Sequence, residues 1–328
     1  MNIKKVIAYI TFLGIGLFLL YRRFTLIPDE DKTKLFENII NAPLLAVGIT
    51  FIMGLFAVIS RGIRWNLLLE PLGYKASIKN SIASVAIGYL ANTLIPRSGE
   101  LARCTALHST DDVPIDKLFG TVIIERVIDF VMLFLFLSIA LISNFDSVVT
   151  FFSGINLPGG SSLVMIIIAL GVLFIGLFVI IKRKSQSQGQ NSIYSKILKF
   201  IRGMFDGIKS IRSMERRAEF LAHTFFIWLM YFLMSYFLFI SMVEGIKFFQ
   251  GLWVMVSGGF GMVFPSPGGI GSYQEAVVAG FKSIGFTNDV DTYAVANVIW
   301  ITQTLMLVLS GIVGSLIIKK GNPKPSTV

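Results

Sequence analysis

One cysteine, Cys104, and two histidines, His108 and His223, are all the chain offers of the residues that cross-link backbones and hold transition metals. A lone cysteine excludes an internal disulfide, and two isolated imidazoles make no ligand set of recognisable spacing, so neither a metal nor a cofactor is expected. Charge is scarce as well: 15% of the 328 residues are Asp, Glu, Lys or Arg, against 54% hydrophobic residues that include 29 phenylalanines. In water such a chain would expose more apolar surface than one core can hide. The expected fold is therefore all-α, a polytopic helical membrane protein forming a single integral domain over residues 1–328. The formal charge of +10 would point a soluble protein toward nucleic acid. Here the interleaved apolar runs make cytoplasmic loops beside anionic lipid the better reading, and no nucleic-acid partner is expected.

Six apolar segments approach the ~20 residues that a bilayer requires: Val6–Tyr21, Pro43–Ser60, Phe119–Ile142, Ser161–Ile181, Phe220–Met242 and Thr292–Ile318. The first is followed by Arg22 and Arg23 instead of a small-residue cleavage site, which favours a retained helix over a signal peptide. Residues 182–218 are dense in Lys and Arg, and the positive-inside rule assigns them to the cytoplasm. Threading from that loop predicts cytoplasmic N- and C-termini in a multi-pass protein of the cell membrane. Within the loop, Leu198, Ile201, Phe205, Ile208 and Ile211 recur at helical spacing against basic neighbours, as in an amphipathic helix on the inner leaflet.

Two apolar stretches are left over. Ile78–Pro96 must begin and finish on the cytoplasmic side, and Gly251–Gly285 on the opposite side, so each is expected to dip in and return. Each carries the means to turn inside the membrane. In ANTLIPRSGELAR (91–103), Pro96 stops one half-helix and Ser98 or Gly99 starts the next. In FPSPGGIGSYQEA (264–276), Pro265 and Pro267 end a half-helix, while Gly268, Gly269 and Gly271 permit the positive φ of a tight reversal. Ser272 and Glu275 fit a capping box for the following helix. Irregular backbone at that depth survives only when covered by protein or facing a wet cavity. Two opposed re-entrant hairpins imply an internal site and an inverted structural repeat, the arrangement by which transporters aim helix N-termini at a central substrate.

Ionisable residues reinforce the expectation. Glu125, Arg126 and Asp129 lie about 10–15 Å into the third span at 1.5 Å per residue. Facing lipid each would cost ~2.5–3.5 kcal/mol on translocon scales, so they should face inward. Glu125 and Asp129 share a face at i, i+4, and Arg126 can reach Asp129 at i, i+3. With Arg97, Glu100, Arg103 and Glu275 they make three cations and four anions that either close into a helix-gluing ion-pair network or line a cavity for a charged head group. Arg61, Arg64 and Trp65 sit where the second span should leave the membrane and read as interfacial lipid contacts. Ser310, Gly311, Gly314 and Ser315 form a small-residue strip suited to close packing within the chain or in a homodimer.

Four motifs in order, R-x-x-R-W at Arg61–Trp65, N-x-x-x-P-x-x-G-E-x-x-R at Asn92–Arg103, E-R-x-x-D at Glu125–Asp129 and P-x-P-G-G-x-G-x-x-x-E at Pro265–Glu275, give the chain a likeness to a known family. Over about Val6–Lys320 it resembles the lysylphosphatidylglycerol synthase transmembrane-region family of flippase-like membrane domains. In two-part members, a soluble domain transfers lysine to phosphatidylglycerol and the membrane domain is linked to lipid flipping. With Val328 following shortly on the last span, the expectation is the translocating part without the transferase. The resemblance implies a lipid path lined by Asn92, Arg97, Glu100, Arg103, Glu125, Arg126, Asp129 and Glu275; Ser272, at the second break, is a further substrate-binding candidate. The partners expected are membrane lipids with anionic or phosphate-bearing head groups. Two other readings stay open: an intramembrane lipid-modifying enzyme, in which Glu100, Glu125 or Glu275 acts as acid or base, and a non-catalytic partner of a separately encoded lipid-modifying enzyme.

Overall fold

The structure of the chain, a computed structural model, describes residues 3–96, 98–153, 214–264 and 266–320. The expected span Ser161–Ile181, nearly all of the basic segment 182–218 with its amphipathic helix, Arg97 and Pro265 lie outside the described residues. Within them every regular element is helical: α1 (Ile3–Thr25), α2 (Asp29–Ile40), α3 (Leu44–Leu69), α4 (Ile78–Leu94), α5 (Gly99–Asp111), α6 (Ile115–Ser143), α7 (Phe145–Ser153), α8 (Arg217–Met242), α9 (Phe248–Val263), α10 (Ser272–Ser283) and α11 (Asp289–Lys320). The all-α polytopic architecture follows directly. Helices α3, α8 and α11 are each long and apolar enough to cross a bilayer alone, with mean hydropathies of 2.1, 1.9 and 2.0. Counting α1 with α2, bent by 117°, and α6 with α7, bent by 104°, gives up to five candidate crossings among the described residues. Leu44, Leu45, Phe134, Ile142 and Leu316 are all more than half exposed, as lipid-facing side chains are.

Two series of four helices repeat the same pattern. A long helix, two shorter ones folded as a hairpin and a second long helix run 26, 17, 13 and 29 residues in α3–α6, then 26, 16, 12 and 32 in α8–α11. The first long helices of the two series are antiparallel. Thr50, early in α3, donates to the Met234 carbonyl late in α8, whereas Ser60 and Arg64 meet His223 and Thr224 near the start of α8. The second series therefore runs inverted relative to the first, the element order of an inverted repeat. Hairpin α4–α5 begins beside the end of α3, where Ser81 donates to Asn66 at 2.9 Å. Hairpin α9–α10 begins beside the end of α6, where Asn144 donates to the Phe249 carbonyl at 2.9 Å. The hairpins thus enter the bundle from opposite ends.

Both breaks follow from local chemistry. A proline forces the residue before it out of the helical region, and Ile95 (φ −133°, ψ 112°) and Phe264 (φ −63°, ψ 134°) are each extended ahead of Pro96 and Pro265. At the second break Gly268, Gly269 and Gly271 take φ of 58°, 72° and 77°, values that side chains resist. The exposed polar groups are met by protein. Trp300 Nε1 donates to the Gly268 carbonyl at 2.7 Å, and Ser266 and Ser272 share a hydroxyl bond of 2.9 Å. Helix α1 lies directly on this turn: a Cβ at Gly271 would stand 2.1 Å from the Gly16 carbonyl oxygen. The expected Ser272–Glu275 capping box is not what starts α10. Gly271 is the cap residue, and Gln274 Oε1 accepts its N–H at 2.9 Å, which leaves the Glu275 carboxylate free to pair elsewhere.

The small-residue strip is used inside the chain. A Cβ at Gly314 would come within 2.7 Å of the Ala83 carbonyl, and one at Gly311 within 2.3 Å of Leu90 Cβ, so these glycines bring α11 into backbone contact with α4.

Candidate functional site

Helix α3 continues past the apolar window that ends at Ser60, and its last three turns go into the protein interior. Arg64 and Trp65 are fully buried and Arg61 is 7% exposed, so the structure does not place R-x-x-R-W at an interface. What holds two guanidiniums there is α6. Arg61 Nε donates to Glu125 Oε1 at 2.5 Å, and its Nη2 pairs with Asp129. Arg64 Nη2 lies 2.9 Å from Asp129 Oδ1 and 3.3 Å from Glu125 Oε1. The i, i+4 spacing puts both carboxylates on the face that meets α3. From the first hairpin, Arg103 brings Nη1 to 3.0 Å from Glu125 Oε2, and its guanidinium lies 4.8 Å from the centre of the Trp65 ring. Trp65 is itself fixed by a 2.9 Å bond from Nε1 to Thr121.

Counting charge decides what this cluster can do. Among the described residues three guanidiniums, Arg61, Arg64 and Arg103, face two carboxylates, Glu125 and Asp129, so one positive charge is unmatched there. Hydrogen bonding is incomplete as well: among the described residues Nε and Nη2 of the buried Arg103 and Nε of Arg64 have no hydrogen-bond partner, and Glu125 Oε2 meets Arg103 Nη1 only as an ion pair at 3.0 Å. Unspent charged donors of this kind are costly unless something anionic or polar meets them.

Space for a water adjoins them, and a larger cavity lies beside it. Arg103, Arg61, Tyr89, Asn92, Glu100 and Arg126 border a water-sized space of about 20 Å³. Tyr89, Asn92, Glu100 and Arg126 also border a larger cavity of about 380 Å³. That cavity reaches both breaks, since Pro96 lines one side and Ser266, Gly268 and Gly269 the other. Trp300, Gln303 and Thr304 of α11 complete its polar wall, while Met262, Val263 and Phe264, all substantially exposed, form an apolar margin. Arg126 pairs across the mouth with Glu100 of α5 and not with Asp129, whose oxygens are taken by α3. Asn92 has a structural duty as well, accepting the Gly99 N–H at 2.8 Å to begin α5.

Two expected members stand apart from the arginine cluster. Glu275 takes a forked pair of bonds from Arg23 of α1, at 3.1 and 3.0 Å, and Arg23 reaches on to Asp289 of α11 at 3.6 Å. Ser272 bonds Ser266 and the Gly269 carbonyl within the turn. Arg23 and the tyrosines Tyr89 and Tyr231 were not anticipated as functional. Arg61 Nη1 donates to both phenols, at 2.7 and 2.8 Å, and the two hydroxyls lie 3.0 Å apart. Between them they carry two hydrogens and spend one on each other, which leaves one to donate at the cavity wall. For Arg23 a signal existed: a carboxylate in a re-entrant half-helix needs a cation, and Arg22 and Arg23 close the preceding span.

Comparison with known proteins agrees with the helical site. The family described as the lysylphosphatidylglycerol synthase TM region matches residues 6–311. A UPF0104 membrane protein of Methanocaldococcus jannaschii is 25% identical over 310 residues, spanning 88% of this chain and 89% of its own. A UPF0104 membrane protein of Pyrococcus horikoshii is 26% identical over 260 residues, spanning 72% and 76%. No solved structure matches the chain. A family match over nearly the whole length joins a bundle whose hairpins meet at a charged cavity: the chain is a multi-pass membrane protein and belongs to the lysylphosphatidylglycerol synthase TM region family.

Proposed function

We propose that the protein moves a lipid between leaflets by passing its phosphate-bearing head group through the cavity that joins the two helix breaks. The observation that carries this reading is the unmatched guanidinium. A phosphodiester supplies one negative charge and two acceptor oxygens in a geometry that suits a forked donor. Arg103 Nε and Nη2 are unspent, and Arg126 stands at the mouth as a second cation. The UPF0104 relatives, named only as membrane proteins, are consistent with this role without specifying it. In a cell the protein would lie in the cytoplasmic membrane with both termini inside, as the distribution of basic loops favours.

The enzyme reading has less support. Glu100, Glu125 and Glu275 are each already paired with a guanidinium, so an acid–base role would first require breaking an ion pair. Purified protein in vesicles separates the readings when exchange of fluorescent phosphatidylglycerol between leaflets is followed beside that of a fluorescent neutral glycolipid without phosphate. Faster exchange of the phospholipid alone, with its structure unchanged, is expected. Equal exchange of both lipids would refute phosphate recognition, and a chemically altered lipid would establish an enzyme.

A further inference from the structure

Behind the head-group cavity lies a second chamber of about 270 Å³, bordered by Gly54, Val58, Tyr231, Met234, Met255, Gly259 and Met306. It shares a wall with the first cavity, because Tyr89, Met262, Tyr273, Gln303 and Leu307 line both. The character differs between them. Beside its apolar margin the first carries Asn92, Thr93, Glu100, Arg126 and Thr304, whereas the second carries four methionines and, apart from tyrosines, only Ser235 and Gln303 as polar side chains. Tyr89 and Tyr231 mark the boundary, with their hydroxyls held by Arg61. A more polar space set beside an apolar one suits an amphiphile.

We infer that the chamber holds one hydrocarbon chain of the transported lipid while its phosphate is at Arg103. This rests on the phosphate reading above and adds to it that the lipid is taken in by chain as well as by head group. Only a few bonds separate a lipid phosphate from its first methylenes, and Tyr89 lines both the space at Arg103 and the chamber, so a phosphate at the arginine cluster would hold the start of a chain near the chamber. An apolar cavity of ~150 Å³ accommodates benzene, and by that measure the chamber admits on the order of ten carbons. Methionine suits such a wall, since its unbranched side chain adapts to chains of different shape. Gly54 lets the methionine ends converge: a Cβ there would lie 2.6 Å from Met306 Cε and 3.1 Å from Met234 Cε. Transfer from bilayer to chamber exchanges one apolar medium for another, so the chamber confers position and selectivity instead of affinity.

Gly259 makes the inference testable. It borders the chamber, lies in α9 and would meet nothing within 4 Å if given a Cβ. Gly259→Phe should therefore fold and obstruct the chamber, with Gly259→Ala as the matched control. In vesicles, long-chain fluorescent phosphatidylglycerol should cross about tenfold more slowly with Gly259→Phe, a barrier change of about 1.4 kcal/mol. A short-chain phosphatidylglycerol, whose head group is the same, should cross at nearly the wild-type rate. Equal rates for wild type and variant with both lipids would overturn the chain site and leave the phosphate reading standing. Equal slowing of both would also overturn it, because the obstruction would then not depend on the chain. Failure of the phosphate reading looks different: wild type itself would not prefer the phospholipid to the neutral glycolipid. Should Gly259→Phe melt early, a phosphatidylglycerol with a photoreactive group at its chain end decides on wild-type protein. Labelling of peptides containing Met234, Met255 or Met306 is expected, and labelling confined to the outer faces of the helices would refute the site.

Discussion

Replacing Arg103 by glutamine removes the unmatched charge and touches little else. The ionic core keeps two guanidiniums, Arg61 and Arg64, against two carboxylates, Glu125 and Asp129. What the fold loses is one of three ion pairs to Glu125 and the stack on Trp65, a cost of about 1–3 kcal/mol. What the ligand loses is larger. Two charge-assisted hydrogen bonds at about 1.5–3 kcal/mol each put the loss of phosphate affinity at about 3 kcal/mol or more. At 1.4 kcal/mol per decade, that is at least about a hundredfold. Arg103→Lys restores the charge without the fork and should recover only part of the binding. Glu125→Gln is the contrasting change, leaving three guanidiniums to Asp129 alone and costing about 3–5 kcal/mol of stability. Thermal melting in detergent and phosphatidylglycerol exchange in vesicles measure the two consequences separately. Arg103→Gln protein that melts near wild type yet exchanges phosphatidylglycerol within about twofold of wild type would refute the assignment of Arg103 to the phosphate.

Other consequences follow from elements outside the arginine cluster. Glu275→Gln should loosen α1 from the second hairpin, lowering the melting temperature by the equivalent of about 1–3 kcal/mol. A double-mutant cycle with Arg23→Gln should give a non-additive result, and additivity would show that the forked bond does not hold in the bilayer. Gly314→Val pushes a branched side chain into the Ala83 carbonyl and should cost about 1–3 kcal/mol or more through overpacking, read as lost yield and a lower melting temperature. For orientation, in a Cys104→Ser background an impermeant thiol reagent applied to whole cells should label Asp146→Cys and spare Ser109→Cys. The opposite pattern would reverse the topology.

The breaks were legible because proline and glycine act locally. Pro96, Pro265 and Pro267 stop helices wherever they fall, and the triple-glycine turn needs no distant partner to declare itself. Glu125 and Asp129 were legible because carboxylates inside a span must face protein. Arg61 and Arg64 were placed wrongly by the same hydropathy that found the span. Charge ends an apolar window, but it does not end a helix whose cations have partners waiting 64 to 68 residues away. The bond between Arg23 and Glu275 spans 252 residues and leaves no periodic trace. Helix α2 was not among the expected segments, although Pro28 followed by Asp29, Glu30 and Asp31 is the beginning of a helix, the acids complementing its N-terminal dipole. The capping box was misread by one position, since the turn closes on Gly271 and takes Gln274 as its side-chain acceptor.

The two series of helices share a pattern but not a chemistry, and the difference bears on how an inverted repeat could work here. All five members of the ionic core come from the first series: Arg61 and Arg64 from α3, Arg103 from α5, Glu125 and Asp129 from α6. All four chamber methionines come from the second, Met234 from α8, Met255 and Met262 from α9 and Met306 from α11. On the proposed reading, the first series grips the phosphate through a network too strongly paired to rearrange cheaply. The second presents adaptable apolar surface and a turn held by uncharged hydrogen bonds that involve Trp300, Ser272 and Gln274. Motion that opens the cavity to one leaflet or the other should therefore be sought in α9, α10 and the α1 latch. Hydrogen exchange would then be faster at Gly268–Gly271 than at Arg61–Trp65, and a second break as protected as the arginine cluster would assign the movement elsewhere.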